Sequence, residues 1–191
     1  MHPRILALSG SLRAASYNTQ LVRVAAAAAR AAGAEVTEIE LRDYPLPVFS
    51  EDLEAIEGMP EHASTLKAMF ADADGLLISS PEYNSSVTAA LKNVIDWISR
   101  PTGKDEPPLI AFNGKVAGLM SASPGGLGGM RGLVHLRAIL GNIRVIVLPD
   151  QVAVSAAHDA FDEHGALKDE RKRGQIAGIA ERVVEVCSAL N

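Results

Sequence analysis

Four polar side chains that could bind a phosphate group follow a short apolar run near the start of the chain. The run is Ile5–Leu8, and the side chains are Ser11, Arg13, Ser16 and Asn18. An alanine-rich helical segment follows, and a helix N-terminus offers unpaired backbone N–H groups and a partial positive charge. Hydroxyl, amide and guanidinium donors there suit a terminal phosphate, which has several acceptor oxygens to satisfy. For Ser16 or Asn18 the alternative is that the side chain merely caps the helix.

A second polar loop, which follows the apolar segment ending at Ser80, has residue types that suit a flat heterocycle. Its residues are Pro81, Glu82, Tyr83 and Asn84. Proline stiffens the turn, the tyrosine offers a ring face, and the asparagine offers both a donor and an acceptor. A turn that caps the next helix is the alternative, and it is compatible with ligand binding.

A third loop, over residues 121–131, is rich in glycine and contains Ser123 and Gly125. Such a loop lets the backbone approach a ligand closely, although glycine density also suits a merely flexible connection. Together, the three loops predict a phosphate-bearing ring ligand held across strand ends. Flavin mononucleotide (FMN) is the ligand that we expect first.

Other nucleotide and catalytic motifs do not match the chain. No G-x-x-x-x-G-K-[ST] run, the triphosphate-binding motif, occurs in the chain. A dinucleotide-binding loop needs three glycines, and Ser9–Ala14 keeps only one. Glu40 could mimic the acid that binds the ribose of a dinucleotide, but alone it is weak evidence. Ser9-Gly10-Ser11 stands where a receiver domain would need aspartates. There is no G-x-S-x-G elbow, and the histidines show no metal spacing: they are His2, His62, His135, His158 and His164. We predict no metal site.

The loops must be positioned by alternating strands and helices. Strands are predicted at Ile5–Leu8, Val36–Leu41, Gly75–Ser79, Val116–Met120 and Val145–Leu148, and helices at Leu21–Ala32, Glu61–Ala71, Val87–Ser99, Leu127–Leu140 and Asp169–Leu190. Near-continuous apolar strands separated by helices indicate an α/β fold, with a parallel sheet covered on both faces. Right-handed crossovers favour the order 2-1-3-4-5, with ligands at the carboxyl ends of strands 1 and 3. The 191 residues suit one domain, 1–191.

Bulk composition narrows the choice of partners. A net charge of −5 gives no electrostatic reason to expect nucleic acid or an acidic membrane surface. Cys187 is the single cysteine, so no internal disulfide can form, and no apolar stretch reaches the length of a membrane span. We therefore expect a cytoplasmic protein whose partners are small molecules.

Two segments raise the question of self-association. Arg42–Leu53 is a stiff, aromatic connection, and either it folds over its own apolar side chains or it forms an interface or part of the ligand site. In the predicted helix Val87–Ser99, Trp97 lies away from the apolar stripe. Because large exposed aromatic side chains mark interfaces, this helix is predicted to help form a symmetric dimer.

Several motifs, in order over the first three quarters of the chain, resemble those of the NADPH-dependent FMN reductases, flavodoxin-like enzymes that include quinone, chromate and azo-dye reductases. They are Gly10-Ser-Leu-Arg13 with Ser16 and Asn18, Leu46-Pro47 with Glu51-Asp52, Pro81-Glu-Tyr-Asn84 with Leu91-Lys92-Asn93 and Asp96-Trp97, and Ser123-Pro-Gly125 with Gly128-Gly129 and Arg131.

The resemblance implies a flavodoxin-like three-layer sandwich and an FMN-dependent oxidoreductase that uses NADPH or NADH. It implies that Ser11, Arg13, Ser16 and Asn18 bind the phosphate, that Pro81–Asn84 meet the ring, and that the loop with Ser123 and Gly125 closes its other side. Dimers or tetramers are usual, and quinones, azo compounds, chromate or free flavin would be acceptors. No catalytic side chain is expected, because the flavin carries the chemistry. A non-catalytic FMN-binding electron carrier is the alternative.

The chain departs from the family pattern at two positions of the second loop. The family often has an aromatic residue or glycine at position 85 and proline at position 88, where this chain has Ser85 and Thr88. These differences concern the surroundings of the ring rather than the phosphate motif.

Overall fold

The computed structural model describes residues 2–190 and contains a parallel five-stranded sheet. The strands are β1 (Arg4–Ser9), β2 (Glu35–Glu40), β3 (Gly75–Ser79), β4 (Val116–Ala122) and β5 (Ile146–Val154), in the order β2-β1-β3-β4-β5. The predicted α/β class and strand order are confirmed. Because neighbouring strands are parallel, their carboxyl ends meet along one edge of the sheet, where the three polar loops begin.

Helices cover both faces of the sheet. They are α1 (Tyr17–Ala31), α2 (Glu51–Glu57), α3 (Glu61–Asp72), α4 (Ala89–Ile98), α5 (Met130–Asn142), α6 (Ala157–Ala160) and α7 (Glu170–Leu190), with a 3₁₀ turn at Leu41–Asp43. Alternate residues of β1 serve the two cores: Ile5 and Ala7 pack with α1 and α7, and Leu6 and Leu8 pack with α3, α4 and α5. Burial on both faces explains the near-continuous apolar strands.

The main boundary error lies in β5, predicted to end at Leu148 but extending to Val154. Its register with β4 shifts, so that Ala117 pairs with Val147 and Leu119 pairs with Gln151. The Arg137 guanidinium of α5 donates to the carbonyl oxygen of Leu148 at 2.7 Å, and it also contacts the carbonyl of Pro149 and the side chain of Gln151. A proline such as Pro149 usually indicates the end of a strand. Here the Arg137 side chain supports the register shift, a β-bulge, and the strand continues beyond it.

Helix α1 begins at Tyr17, four residues before the predicted start at Leu21. Ser16 is the N-cap, and its Oγ accepts the backbone N–H groups of Asn18 at 3.2 Å and Thr19 at 3.4 Å. Asn18 therefore lies in the first turn of the helix, whereas Ser11 and Arg13 remain in the loop before it. This places the helix N-terminus directly at the end of the loop that follows β1.

Trp97 does not lie on an exposed face, so that basis for the predicted dimer was wrong. Its side chain is 0% exposed, and its indole N–H donates to the carbonyl oxygen of Pro47 at 2.8 Å. The Phe49 ring meets the Trp97 ring edge-on, with centroids 5.0 Å apart. Asn93 fixes the same segment, donating to Pro47 O and accepting the backbone N–H of Phe49. Part of the Arg42–Leu53 segment is thus a cover for α4, and α2 begins within it at Glu51.

Candidate functional site

A cleft at the carboxyl ends of β1, β3 and β4 brings together most of the predicted site residues. Its lining consists of Ser11, Arg13, Ser16, Tyr17, Asn18, Pro81, Glu82, Tyr83, Ala122, Ser123 and Pro124. Asn84 and Gly125 lie outside this lining, and Tyr17, Ala122 and Pro124 were not singled out from the sequence. The cleft holds about 140 Å³. Because ligand pockets usually hold roughly 300–1,000 Å³, it could enclose only part of a nucleotide.

The loop that follows β1, residues 10–16, is supported by its own hydrogen bonds. Ser9 Oγ accepts the N–H of Ser11, and Ser11 Oγ accepts the N–H of Arg13, both at 3.2 Å. These hydroxyl oxygens act as acceptors within the loop. The hydroxyl hydrogens of Ser11 and Ser16 can therefore be donated to an anion in the cleft.

Thr88 connects this loop to α4, a role that sequence reasoning missed. Its hydroxyl donates to the carbonyl oxygen of Gly10 at 2.6 Å and accepts the N–H of Leu91 as the N-cap of α4. A side chain at Gly10 would crowd this junction, because a Cβ there would lie 3.0 Å from Ser80 Oγ and 3.2 Å from Leu91. Thr88 is therefore more than a departure from a family pattern: it fixes the loop against the helix after β3.

Asn18 joins three elements beneath the cleft. Its Oδ1 accepts the hydroxyl of Ser79 on β3 and the N–H of Ala122 on β4, both at 2.9 Å, and its Nδ2 donates to Ala122 O at 2.8 Å. The residue is 3% exposed. One of the two amide hydrogens remains for a ligand, so the predicted phosphate contact of Asn18 stays a prediction beside this bracing role.

Arg13 carries a positive charge at the mouth of the cleft. One guanidinium nitrogen donates to Ala15 O at 2.7 Å, and the ion pairs of residues 2–190 do not include Arg13. Glu82 is the one acidic residue of the cleft lining, and it is paired with Arg131. The cleft thus combines an uncompensated cation, two hydroxyl groups and the N-terminus of α1. This donor set fits a phosphate dianion.

Glu82 does not present a free carboxylate to a ring but fastens the loop after β3 to α5. Its Oε1 accepts from the Arg131 guanidinium, and its Oε2 accepts the backbone N–H groups of Arg131 at 3.0 Å and Gly132 at 3.2 Å. Those N–H groups belong to the first turn of α5, so the carboxylate caps that helix from the loop after β3. Burial by itself would raise the pKa of Glu82, but the hydrogen bonds and charge of Arg131 and the backbone bond of Gly132 outweigh it and leave the pKa below the ordinary 4.5.

The next residues form a tight two-residue turn that projects the Tyr83 ring. Tyr83 and Ser86 exchange backbone hydrogen bonds of 3.0 and 3.1 Å, and Asn84 and Ser85 between them adopt left-handed φ values of 49° and 67°. Such values favour glycine, so the turn is strained at Ser85 and must be held by its surroundings. His135 of α5 provides one support, with its Nδ1 2.9 Å from Ser86 Oγ. Tyr83 is 53% exposed.

The loop after β4 uses its glycines for packing more than for approach to a ligand. A Cβ on Gly128 would lie 2.8–2.9 Å from the backbone of residues 153–155, and one on Gly129 would lie 2.9 Å from Ser121. Gly125 is different, because the nearest atom to such a Cβ is Ser123 Oγ at 3.7 Å. Ser123 itself is fixed by backbone bonds to Val154 and Ala157. Its side chain lines the cleft.

Glu40, weighed as a ribose ligand, accepts from Arg23 at 2.9 Å and also pairs with Arg42. Within residues 2–190, no group of three His, Cys, Asp or Glu side chains is placed to hold a metal ion. No helix in this part of the chain is long and apolar enough to cross a membrane.

Residues 3–159 match the family described as NADPH-dependent FMN reductase. An NAD(P)H-dependent FMN reductase of Pseudomonas aeruginosa is 37% identical over 175 residues, covering 91% of this chain and 89% of that protein. An NADPH:quinone oxidoreductase of Arabidopsis thaliana is 39% identical over 174 residues, covering 87% and 83%. Among solved structures, a flavoenzyme NAD(P)H:(acceptor) oxidoreductase from Paracoccus denitrificans superposes with a TM-score of 0.80 at 26% identity, covering 98% of each chain.

The Glu82 contacts predict a pH-dependent loss of stability in the variant Glu82→Gln. At neutral pH the variant should unfold about 1–3 kcal/mol more easily, because the charge-assisted hydrogen bonds of a largely buried carboxylate are weakened. Since the pKa of folded Glu82 lies below 4.5, the stabilisation is present above that pH and is lost as the pH falls through the folded pKa. Urea unfolding at neutral pH and at successively lower pH values measures the difference.

Glu170→Gln is the matched control, because Glu170 is a largely exposed partner of Arg173 and surface pairs contribute little. A difference between wild type and Glu82→Gln that stays constant as the pH falls below 4.5 would contradict the assignment of an ionised clamp.

Proposed function

The chain belongs to the NADPH-dependent FMN reductase family, and we propose that it is an NAD(P)H oxidoreductase that passes two electrons through bound FMN to quinones. The family resemblance predicted from the motifs is thereby confirmed. The observation that carries the proposal is the donor set around the first turn of α1: the uncompensated Arg13 together with the hydroxyl groups of Ser11 and Ser16. The residues that we assign to the phosphate and, apart from Asn84 and Gly125, those that we assign to the ring line one cleft at the strand ends.

In this proposal the phosphate group is held by Ser11, Arg13 and Ser16, with the free amide hydrogen of Asn18 as a further donor. Each donor is fixed beforehand by contacts of the protein itself. Charge-assisted hydrogen bonds to such donors contribute about 1.5–3 kcal/mol each, so a few of them support micromolar or tighter binding. Little side-chain ordering remains to oppose the binding of FMN.

We assign the flavin ring to the part of the cleft between Pro81–Asn84 on one side and the loop with Ser123 and Gly125 on the other. Pro81 and Ala122 are buried and give this part of the cleft an apolar floor, while Tyr83 presents an aromatic ring at its edge. The strained turn can keep its shape because Glu82, Gly132 and His135 hold it against α5. We propose that Asn84, at the tip of the turn, meets the bound ring from outside the cleft lining.

When bound, FMN supplies the two-electron redox chemistry. The cleft lining contributes no histidine, cysteine or lysine, and its one carboxylate is paired with Arg131. We therefore assign no catalytic side chain. The protein's contribution is to orient the cofactor and to exclude water from the apolar floor formed by Pro81 and Ala122. Either NADPH or NADH is the donor in this proposal, and azo compounds, chromate and free flavin are further acceptors besides quinones.

We propose a cytoplasmic protein consisting of one domain, 1–191, that assembles as a homodimer or homotetramer. With Trp97 buried, another surface must form the contact. Three exposed apolar residues lie at helical spacing around the start of α5, close in sequence to Arg131, the partner of Glu82: they are Leu127, Met130 and Val134.

The phosphate assignment predicts that FMN binds far more tightly than riboflavin and that Arg13→Ala removes much of the difference. The variant should bind FMN about ten- to a hundredfold more weakly, with unchanged affinity for riboflavin, because one charge-assisted contact to phosphate is lost. Fluorescence titration of the full chain with each flavin measures both constants. Arg23→Ala is the matched control, since Arg23 lies on α1 but pairs with Glu40. Equal affinities for the two flavins in wild type would contradict the phosphate site.

The enzymatic assignment predicts that the purified, FMN-loaded protein alone oxidises NAD(P)H when a small quinone is added. Donor and acceptor should use the same site in turn, because the flavin alone carries the electrons, and double-reciprocal plots should give parallel lines. Absorbance of the reduced nicotinamide follows the reaction. A protein that consumes no NAD(P)H without a partner reductase would be the electron carrier instead, and intersecting lines would require a separate nicotinamide site.

A further inference from the structure

A column of three side chains extends outward from the core to the mouth of the cleft. The Cζ atom of Arg13 lies 4.9 Å from the centre of the Tyr17 ring. On the same tyrosine, the ring of Phe161 is stacked in parallel, with centroids 6.3 Å apart and an interplanar angle of 1°. Both distances lie within the ranges for cation–π and offset-stacked aromatic contacts. Tyr17 and Phe161 also pack against the core between α1 and α7.

Phe161 belongs to a short hairpin, residues 160–168, that fixes its position. Phe161 pairs with the buried Leu167 in an antiparallel bridge, and the backbone N–H of Lys168 donates to Ala160 O at 3.0 Å. At the tip, Asp162 Oδ1 accepts the N–H groups of His164 and Ala166, both at 2.9 Å. Such self-satisfied turns are stiff, so the hairpin holds the backbone of Phe161 in place, and the ring packs against Tyr17 and the core.

Tyr17 is in turn fixed by its place in the first turn of α1, directly after the N-cap Ser16. The Arg13 side chain, by contrast, is exposed, and its contacts are the Ala15 carbonyl and the face of the Tyr17 ring. An exposed arginine normally samples many rotamers, and ordering it costs binding free energy when a ligand arrives. A ring held in a fixed plane restricts that sampling before the ligand is bound.

We infer that Phe161 is a positioning residue that acts through Tyr17 to hold the Arg13 guanidinium at the cleft and thereby sets the preference for phosphorylated over unphosphorylated flavin. This inference rests on the proposed function, because it takes Arg13 to be a phosphate contact. According to this inference, the 160–168 hairpin contributes to cofactor selection, although it lies far along the chain from the predicted phosphate-binding residues. Phe161 itself is outside the cleft lining and needs no contact with the flavin.

The test is the ratio of FMN affinity to riboflavin affinity in Phe161 variants of the full chain, measured by fluorescence titration. Phe161→Leu keeps an apolar side chain in the core but removes the planar ring. It should lower the ratio about three- to tenfold, all of it through weaker FMN binding. Phe161→Tyr keeps the ring and should restore the wild-type ratio. Unfolding curves of both variants establish that they are folded at the titration temperature.

A double-mutant cycle is completed by the variant Arg13→Ala and the double variant Arg13→Ala/Phe161→Leu. If Phe161 acts through Arg13, Phe161→Leu should lower the ratio no further once Arg13 is removed. An equal loss of affinity for both flavins, or an additive loss in the double variant, would overturn the inference. If Arg13→Ala weakens FMN while Phe161→Leu has no effect, the inference fails and the phosphate site stands. If Arg13→Ala leaves the ratio unchanged, the phosphate assignment itself fails.

Discussion

The amide of Asn18 is the contact on which the arrangement of the site depends. Parallel strands bring their carboxyl ends to one edge of the sheet but do not fix the loops that follow them. One buried side chain on α1 accepts from Ser79 on β3 and both accepts from and donates to the backbone of Ala122 on β4. Without this side chain, three buried polar groups would be left unpaired, each at a cost of about 1–3 kcal/mol. The amide therefore ties the first turn of α1 to the ends of both central strands.

Other contacts extend the same constraint outward from the sheet. Thr88 fixes the loop after β1 against α4, and Glu82 fixes the turn after β3 against α5. These side chains use their polar groups inside the protein, which leaves Arg13 as the uncompensated charge beside the cleft. The site therefore has its shape and its positive charge before a cofactor arrives. A preformed site of this kind suits a flavin enzyme, because the cofactor carries the chemistry and the protein has mainly to orient it.

The sequence predicted the sheet, its strand order and most of the cleft because these follow from local patterns. Apolar runs indicate buried strands, and donors clustered before a helix predict an anion site, and neither pattern depends on distant parts of the chain. The errors have a common cause, namely a partner that is distant in sequence. Trp97 resembled an interface residue because nothing nearby covers it, yet Pro47 and Phe49 do. The contact between Glu82 and Arg131 could likewise not be predicted from the sequence, because Arg131 lies far along the chain in α5. The continuation of β5 past Pro149 depends on Arg137 of α5.

The unfolding free energy of Asn18→Ala, measured in the absence of flavin and compared with wild type, tests the central claim most directly. If the amide braces the site, the variant should lose about 3 kcal/mol or more without any ligand, because the polar groups of Ser79 and Ala122 lose their buried partner. Adding FMN should not be needed to reveal the effect. A variant as stable as wild type without flavin, with a deficit that appears only when FMN is present, would contradict the account and make Asn18 a phosphate ligand rather than a brace.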